Sequence, residues 1–172
     1  MWIRKALKWV IKGVLPLENP PETIYGSVVT GAVLASASEP PVNLSEVVFS
    51  VIASLLIYWF AHVYAEEFAR SHPGEKSFSW SRLLRSARVQ WALVKSSFIP
   101  VLALLLVALF GGGANLAIEV GLWSVVLILL CWGLVTAHRK GMKGTRLVLA
   151  GLLAAALGVA IVMLKSVVVD PV

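Results

Sequence analysis

Tyr58, His62 and Glu66 recur every four residues in the stretch YWFAHVYAEEFAR, residues 58–70. On a helix that spacing stacks them on one stripe. A phenol, a carboxylate and an imidazole that titrates near neutral pH can together relay a proton. The same imidazole and carboxylates are a donor set for a divalent cation. Glu22 and Tyr25, in NPPETIYG, complete the candidate proton or ion cluster. They begin the preceding apolar segment, so a helical hairpin brings them to the depth of His62. The bland alternative is a helix end. Histidine in a last turn interacts well with the helix dipole, and Glu66 and Glu67 then stand in water. Glu119 and Lys165 form a second candidate, an intramembrane ion pair. They fall near matching ends of two antiparallel segments. Its alternative is a glutamate near a helix start and a lysine snorkelling outward.

The elements that must position these residues are membrane helices. The chain has 172 residues, of which 59% are hydrophobic and 14% charged, and its mean hydropathy is +0.86. An ordinary soluble domain is about 45–50% apolar and about 25% charged. About 20 apolar residues cross a hydrocarbon core of roughly 30 Å. Five segments qualify as candidate spans: 20–38, 44–65, 96–113, 115–137 and 147–169. The first is the weakest, being short and rich in Gly, Ser and Thr. The expected architecture is an all-α polytopic membrane bundle at 20–172, with about five transmembrane helices and two amphipathic interfacial helices. An Ala-x-Ala pattern in VLASAS raises a competing reading, a signal peptide cleaved near residue 37. The long preceding region, with Glu18 and Glu22, and the weak apolar stretch favour a retained span.

Charge sets the expected orientation. Fourteen of the fifteen Lys and Arg fall in segments that share one side of the membrane if the N-terminus is cytoplasmic; Lys165 is the exception. Positive charge of this asymmetry marks the inner face. The net charge of +6 therefore points to anionic lipid headgroups, and no nucleic-acid partner is expected. Residues 1–15 carry Arg4, Lys5, Lys8 and Lys12 within one arc of roughly 100° on a helical wheel. That pattern predicts an amphipathic helix on the inner leaflet. Residues 79–95 repeat it less cleanly, with Arg82, Arg85, Arg88 and Lys95 on one side and Trp80, Leu83, Leu84, Ala87, Trp91 and Val94 on the other. Val89 and Leu93 break the pattern. Pro100 is expected to kink the helix where it enters the membrane.

Local signals fix several ends. NPPE at 19–22 and NLSE at 43–46 each place Asn at an N-cap with Glu three residues on, close to a capping box. The glycines at 111–113 follow no strand, so they read as a turn. On the second span, Ser50, Ser54, Tyr58, Ala61, His62, Ala65 and Glu66 are expected to face neighbours. Phe49, Ile52, Leu56, Trp59, Phe60 and Val63 are expected to face away. The spacings Ser27–Gly31–Ala35 and Gly151–Ala155 are small-residue packing signals. The single cysteine, Cys131, lies in an apolar run and has no partner for a disulfide. No P-loop, dinucleotide fingerprint, HExxH or nucleophile elbow occurs, so neither an enzyme nor a cofactor or resident metal is expected.

PPETIYG, YWFAHVYA, FIPVLALLLVALFG and IVMLKSVVV occur in that order. In this the chain resembles small uncharacterised integral membrane proteins of actinobacteria. Those carry a Pro-Glu near a Tyr-Gly, a Trp-x-Ala-His-x-Tyr-Ala stretch and a lysine in the last helix. The basic N-terminal helix and the Glu66–Glu67 pair depart from that pattern. The resemblance implies a bacterial plasma membrane location and no particular activity. Two functions remain open. One is a non-enzymatic membrane module in a homo-oligomer or with a membrane-protein partner. The other is a proton or cation transporter or channel built on the Tyr/His/Glu cluster.

Overall fold

A computed structural model describes residues 20–37, 43–70 and 80–169. The amphipathic segment at 1–15, with Arg4, Lys5, Lys8 and Lys12, lies outside the described residues, as do Asn19 and the C-terminal Asp-Pro-Val. The described chain is all-α. Its six helices are α1 (Pro20–Ser36), α2 (Leu44–Arg70), α3 (Trp80–Lys95), α4 (Phe98–Leu109), α5 (Ala114–Arg139) and α6 (Thr145–Val169).

Among the described residues four stretches, rather than five, are long and apolar enough to cross a membrane: Leu44–Ala69, Trp80–Leu109, Ala114–Arg139 and Thr145–Ser166. The 17-residue α1 reaches only about 25 Å at 1.5 Å per residue. It is nonetheless the hub, packing against α2, α3, α5 and α6. Its small polar residues make this possible. Ser27 and Thr30 are fully buried, and each returns its hydroxyl to a backbone carbonyl four residues back, at 2.8 Å and 2.7 Å. Neither hydroxyl donor is then left unpaired in an apolar setting. Gly26 lies directly against the Leu93 carbonyl, and Gly31 against Val125 and Ile161. The Ser27–Gly31–Ala35 signal therefore marks a real contact face. In α6 the contact glycines are Gly151 and Gly158, with Ala154 against Gly133 of α5; Ala155 is only half-buried.

The helices α3 and α4 form one rod broken at Ser96–Ser97. Pro100 has no N–H for the Ser96 carbonyl. Ser96 and Ser97 turn their hydroxyls back to Leu93 and Val94 at 2.6 Å and 2.9 Å. Pro100 is thus accompanied by an interruption of the helix one turn earlier in the chain. The basic helix at 79–95 leads directly into the third span, and α3 also packs along both α1 and α2.

The end of α4 is a Schellman turn. Gly112 donates to the Val107 carbonyl at 2.9 Å and Gly111 to that of Ala108 at 3.1 Å, with Gly111 at φ +81°. The end of α5 repeats the motif at Gly141, φ +77°. Asn43 caps α2, taking the Ser45 N–H at 3.1 Å, while its amide donates to Glu46 at 3.0 Å. The expected pairing of Asn43 with Glu46 is present, through the side-chain amide instead of the backbone N–H.

Helix directions follow from the close contacts. Gly31 meets Val125 and Leu34 meets Gly121, so α1 and α5 run antiparallel. Gly133 meets Ala150 and Ala154 while Gly158 meets Val126, so α5 and α6 do too. Together with Tyr25 beside His62 and Gly26 beside Leu93, these contacts gather one set of ends: the start of α1, α3 and α6, and the finish of α2 and α5. Arg82, Arg85, Arg88, Arg139, Lys140, Lys143 and Arg146 all fall at that end of the bundle.

Candidate functional site

His62 sits between two tyrosines. Its ring stacks on Tyr58 at 5.8 Å between centroids and 20° between planes, and lies 6.4 Å from Tyr25, tilted by 47°. The i, i+4 spacing on α2 makes the first contact, and the α1–α2 hairpin makes the second. Tyr25, Tyr58 and His62 of the candidate cluster therefore meet at one place. The cluster opens outward: Tyr25 is 51% and Tyr58 36% exposed, and His62 is half-buried. Glu22 is half-buried in the first turn of α1. Among the described residues no three His, Cys, Asp or Glu side chains converge as a metal ion would require.

Glu66 turns the other way. Its Oε2 accepts from the Gln90 side-chain amide at 2.8 Å and from the Ser86 hydroxyl, both on α3. The next residue, Glu67, is buried and lies 3.7 Å from the Arg82 guanidinium. Two carboxylates of α2 thus clamp α3. Gln90 is 4% exposed, and its Oε1 has no hydrogen-bond partner among the described residues. The buried side chains Thr23, Ser27, Thr30, Glu67, Ser86, Gln90, Ser96 and Ser97 all belong to α1, α2, α3 or the α3–α4 turn. That seam is the polar interior of the described bundle.

A two-sided wheel of residues 79–95, basic against apolar, does not single out Ser86 and Gln90. The helix has three faces. Arg82, Arg85 and Arg88 are exposed. Trp80, Leu84 and Trp91 are also exposed. The bundle-facing stripe is Ser86, Gln90, Leu93 and Ser97, all buried. Leu93, out of place in a two-sided pattern, belongs to the third face. The available signal was the recurrence of uncharged polar residues, Ser86, Gln90 and Ser97, at i, i+4 and i+11.

The face assigned to α2 also needs correcting. Ser50, Ala61 and Ala65 are exposed, whereas Val47, Val51, Leu55 and Val63 are buried and Trp59 packs inward. The contact stripe follows an i, i+4 row, which drifts around the helix. In the second half of α2 it brings Trp59 and Glu67 onto α3. Phe49, Ile52, Leu56 and Phe60 face outward as expected.

Glu119 and Lys165 form no ion pair among the described residues. Glu119 is exposed on α5. Lys165 lines a small recess with Ala32, Ala35 and Ser36 of α1. Cys131 is a free, exposed thiol on α5. Of the three arginines assigned to lipid headgroups, Arg82 is engaged by Glu67.

The fold and its apolar outer surface define a polytopic helical membrane protein. Comparison with family models, curated proteins and solved structures returned no match, so the reading of the site rests on its own geometry.

Proposed function

We propose that this chain is a non-enzymatic integral membrane module that works by lateral assembly, with a second copy or a membrane-protein partner, through the outer flank of α1 and α2. The observation carrying this is the outward-facing Tyr25–His62–Tyr58 stack. Ionisable residues of membrane helices nearly always face a bundle interior or a wet cavity. Here the imidazole lies on a flank, where a neighbouring helix would cover it and share its hydrogen bonds. Proton or cation conduction has less support, because Glu66, the carboxylate meant to continue the stripe, is occupied by Ser86 and Gln90. The basic end of the bundle favours a cytoplasmic position for that end by the positive-inside rule, and with it a cytoplasmic N-terminus. The resemblance to actinobacterial membrane proteins favours a bacterial plasma membrane.

Disulfide cross-linking in native membranes tests this. In a Cys131→Ser background, Tyr58→Cys should give a cross-linked dimer, or a cross-link to one membrane protein. Phe110→Cys, at an exposed position near the opposite end, should give none. Equal cross-linking at both positions would reject lateral assembly through this flank. Proton flux in proteoliposomes that is lost in His62→Ala would replace the proposal with conduction.

A further inference from the structure

We propose that the groove between α2 and α3 is a binding site for one anionic phospholipid molecule, its acyl chain lying along the wall that Trp59 and Trp91 form together and its phosphate on Arg88. This is a different flank of α2 from the one that carries His62.

The groove is lined by Trp59, Leu84, Ala87, Arg88 and Trp91, is open to the surface and has a volume of about 290 Å³. The α3 residues follow i, i+3, i+4, i+7 spacing, so they form one stripe. Trp59 closes the opposite side. Its indole N–H donates to the Ala87 carbonyl at 3.0 Å, and Trp91 meets it edge-on at 5.4 Å and 82°. The hydrogen bond matters twice. It holds the indole plane fixed, and it removes the one polar atom that Trp59 would offer a ligand. What remains is an apolar wall suited to methylenes. Arg88 is the charged group on the lining. It is exposed and makes no ion pair or hydrogen bond among the described residues, in contrast to Arg82, which Glu67 holds. A guanidinium on the rim of an apolar groove matches a phosphodiester attached to a hydrocarbon chain. The depth also fits, since tryptophans concentrate at membrane interfaces and this groove lies at the basic end of the bundle.

Native mass spectrometry of the full chain, released from mixed micelles of phosphatidylglycerol and phosphatidylcholine with identical acyl chains, tests the proposal. One phosphatidylglycerol should be retained in preference to phosphatidylcholine. Arg88→Gln should remove about tenfold of that preference, the worth of one charged contact. Arg146→Gln, at the same end but outside the groove, should leave it intact. Trp91→Ala should weaken retention of both lipids; Trp91→Leu, which keeps an apolar wall and guards against misfolding, should restore part of it. Glycerol 3-phosphate should not compete. Equal retention of the two lipids, equal losses in Arg88→Gln and Arg146→Gln, unchanged retention in Trp91→Ala, or displacement by glycerol 3-phosphate would each overturn the assignment. The last would indicate a phosphate site with no role for the chain.

Discussion

The Glu66 carboxylate of α2 accepts a 2.8 Å hydrogen bond from the side-chain amide of Gln90 on α3. This contact changes the meaning of the Tyr58–His62–Glu66 stripe. Periodicity places the three side chains in line, but the two ends of the stripe face different helices. Tyr58 and His62 lie toward α1 with Tyr25, and Glu66 belongs to the α2–α3 seam. The stripe is divided because an i, i+4 row drifts around the helix, carrying His62 to Tyr25 of α1 and Glu66 to Ser86 and Gln90 of α3.

Removing the Glu66 carboxylate should therefore act on stability. Glu66→Ala leaves the Ser86 hydroxyl and the Gln90 amide buried without their acceptor, at a cost of about 1–3 kcal/mol. Glu66→Gln, which keeps an acceptor oxygen, should lose less. In a double-mutant cycle, Glu66→Ala and Gln90→Ala together should cost less than the sum of the two single changes. Unfolding in mixed micelles measures all four species. Strict additivity would show that the hydrogen bond contributes nothing.

Gly26 allows no side chain. A Cβ there would overlap the Leu93 carbonyl oxygen and Ser96 Oγ. Ser96 Oγ can rotate, but the carbonyl belongs to the backbone of α3 and cannot. Gly26→Ala should thus push α1 away from α3 and cost about 1–3 kcal/mol, the range for overpacking. Gly113→Ala is the control, since nothing lies within 4 Å of its added Cβ and its φ is −62°. A thermal melt that places both variants together would contradict the close approach.

The helices and several of their ends are legible in the residues, because capping, proline and glycine act locally. Asn43 caps α2, Pro100 interrupts the third rod and Gly111 stops α4, each for a reason contained within a few residues. The meeting of Tyr25 with His62 is also legible, since a short connection forces α1 and α2 into a hairpin. The hub position of α1 is harder to see. Hydropathy marks it as the weakest span, yet a helix surrounded by protein needs small contacts and satisfied hydroxyls more than greasy side chains. The partners of Glu66 are not legible at all. They lie 20 and 24 residues away on a helix whose rotation is set by packing against α1.

Gly111 tests backbone conformation apart from packing. Its φ of +81° is left-handed, and an added Cβ would meet no atom within 4 Å. Gly111→Ala should cost about 1–2 kcal/mol through the backbone alone. Gly111→Asn should recover part of that, because asparagine tolerates this region better. If Ala and Asn were equally harmful in a melting experiment, lost space instead of backbone conformation would be the cause.

The Asn43 cap isolates the contribution of one helix end. Its side-chain oxygen takes the Ser45 N–H at 3.1 Å and the Ser45 hydroxyl at 2.6 Å, and its amide binds Glu46. All three residues are exposed, so desolvation adds little and the capping bond itself dominates. Asn43→Ala should destabilise by about 1 kcal/mol, while Asn43→Asp, an equally good acceptor, should keep the cap. The aspartate variant also sets a second carboxylate beside Glu46, so it should improve when Glu46 is changed to Gln. A melting series of Asn43→Ala, Asn43→Asp and the double change Asn43→Asp with Glu46→Gln reads this directly. An Ala variant as stable as the parent would show that α2 is held by its packing on α1 and needs no cap.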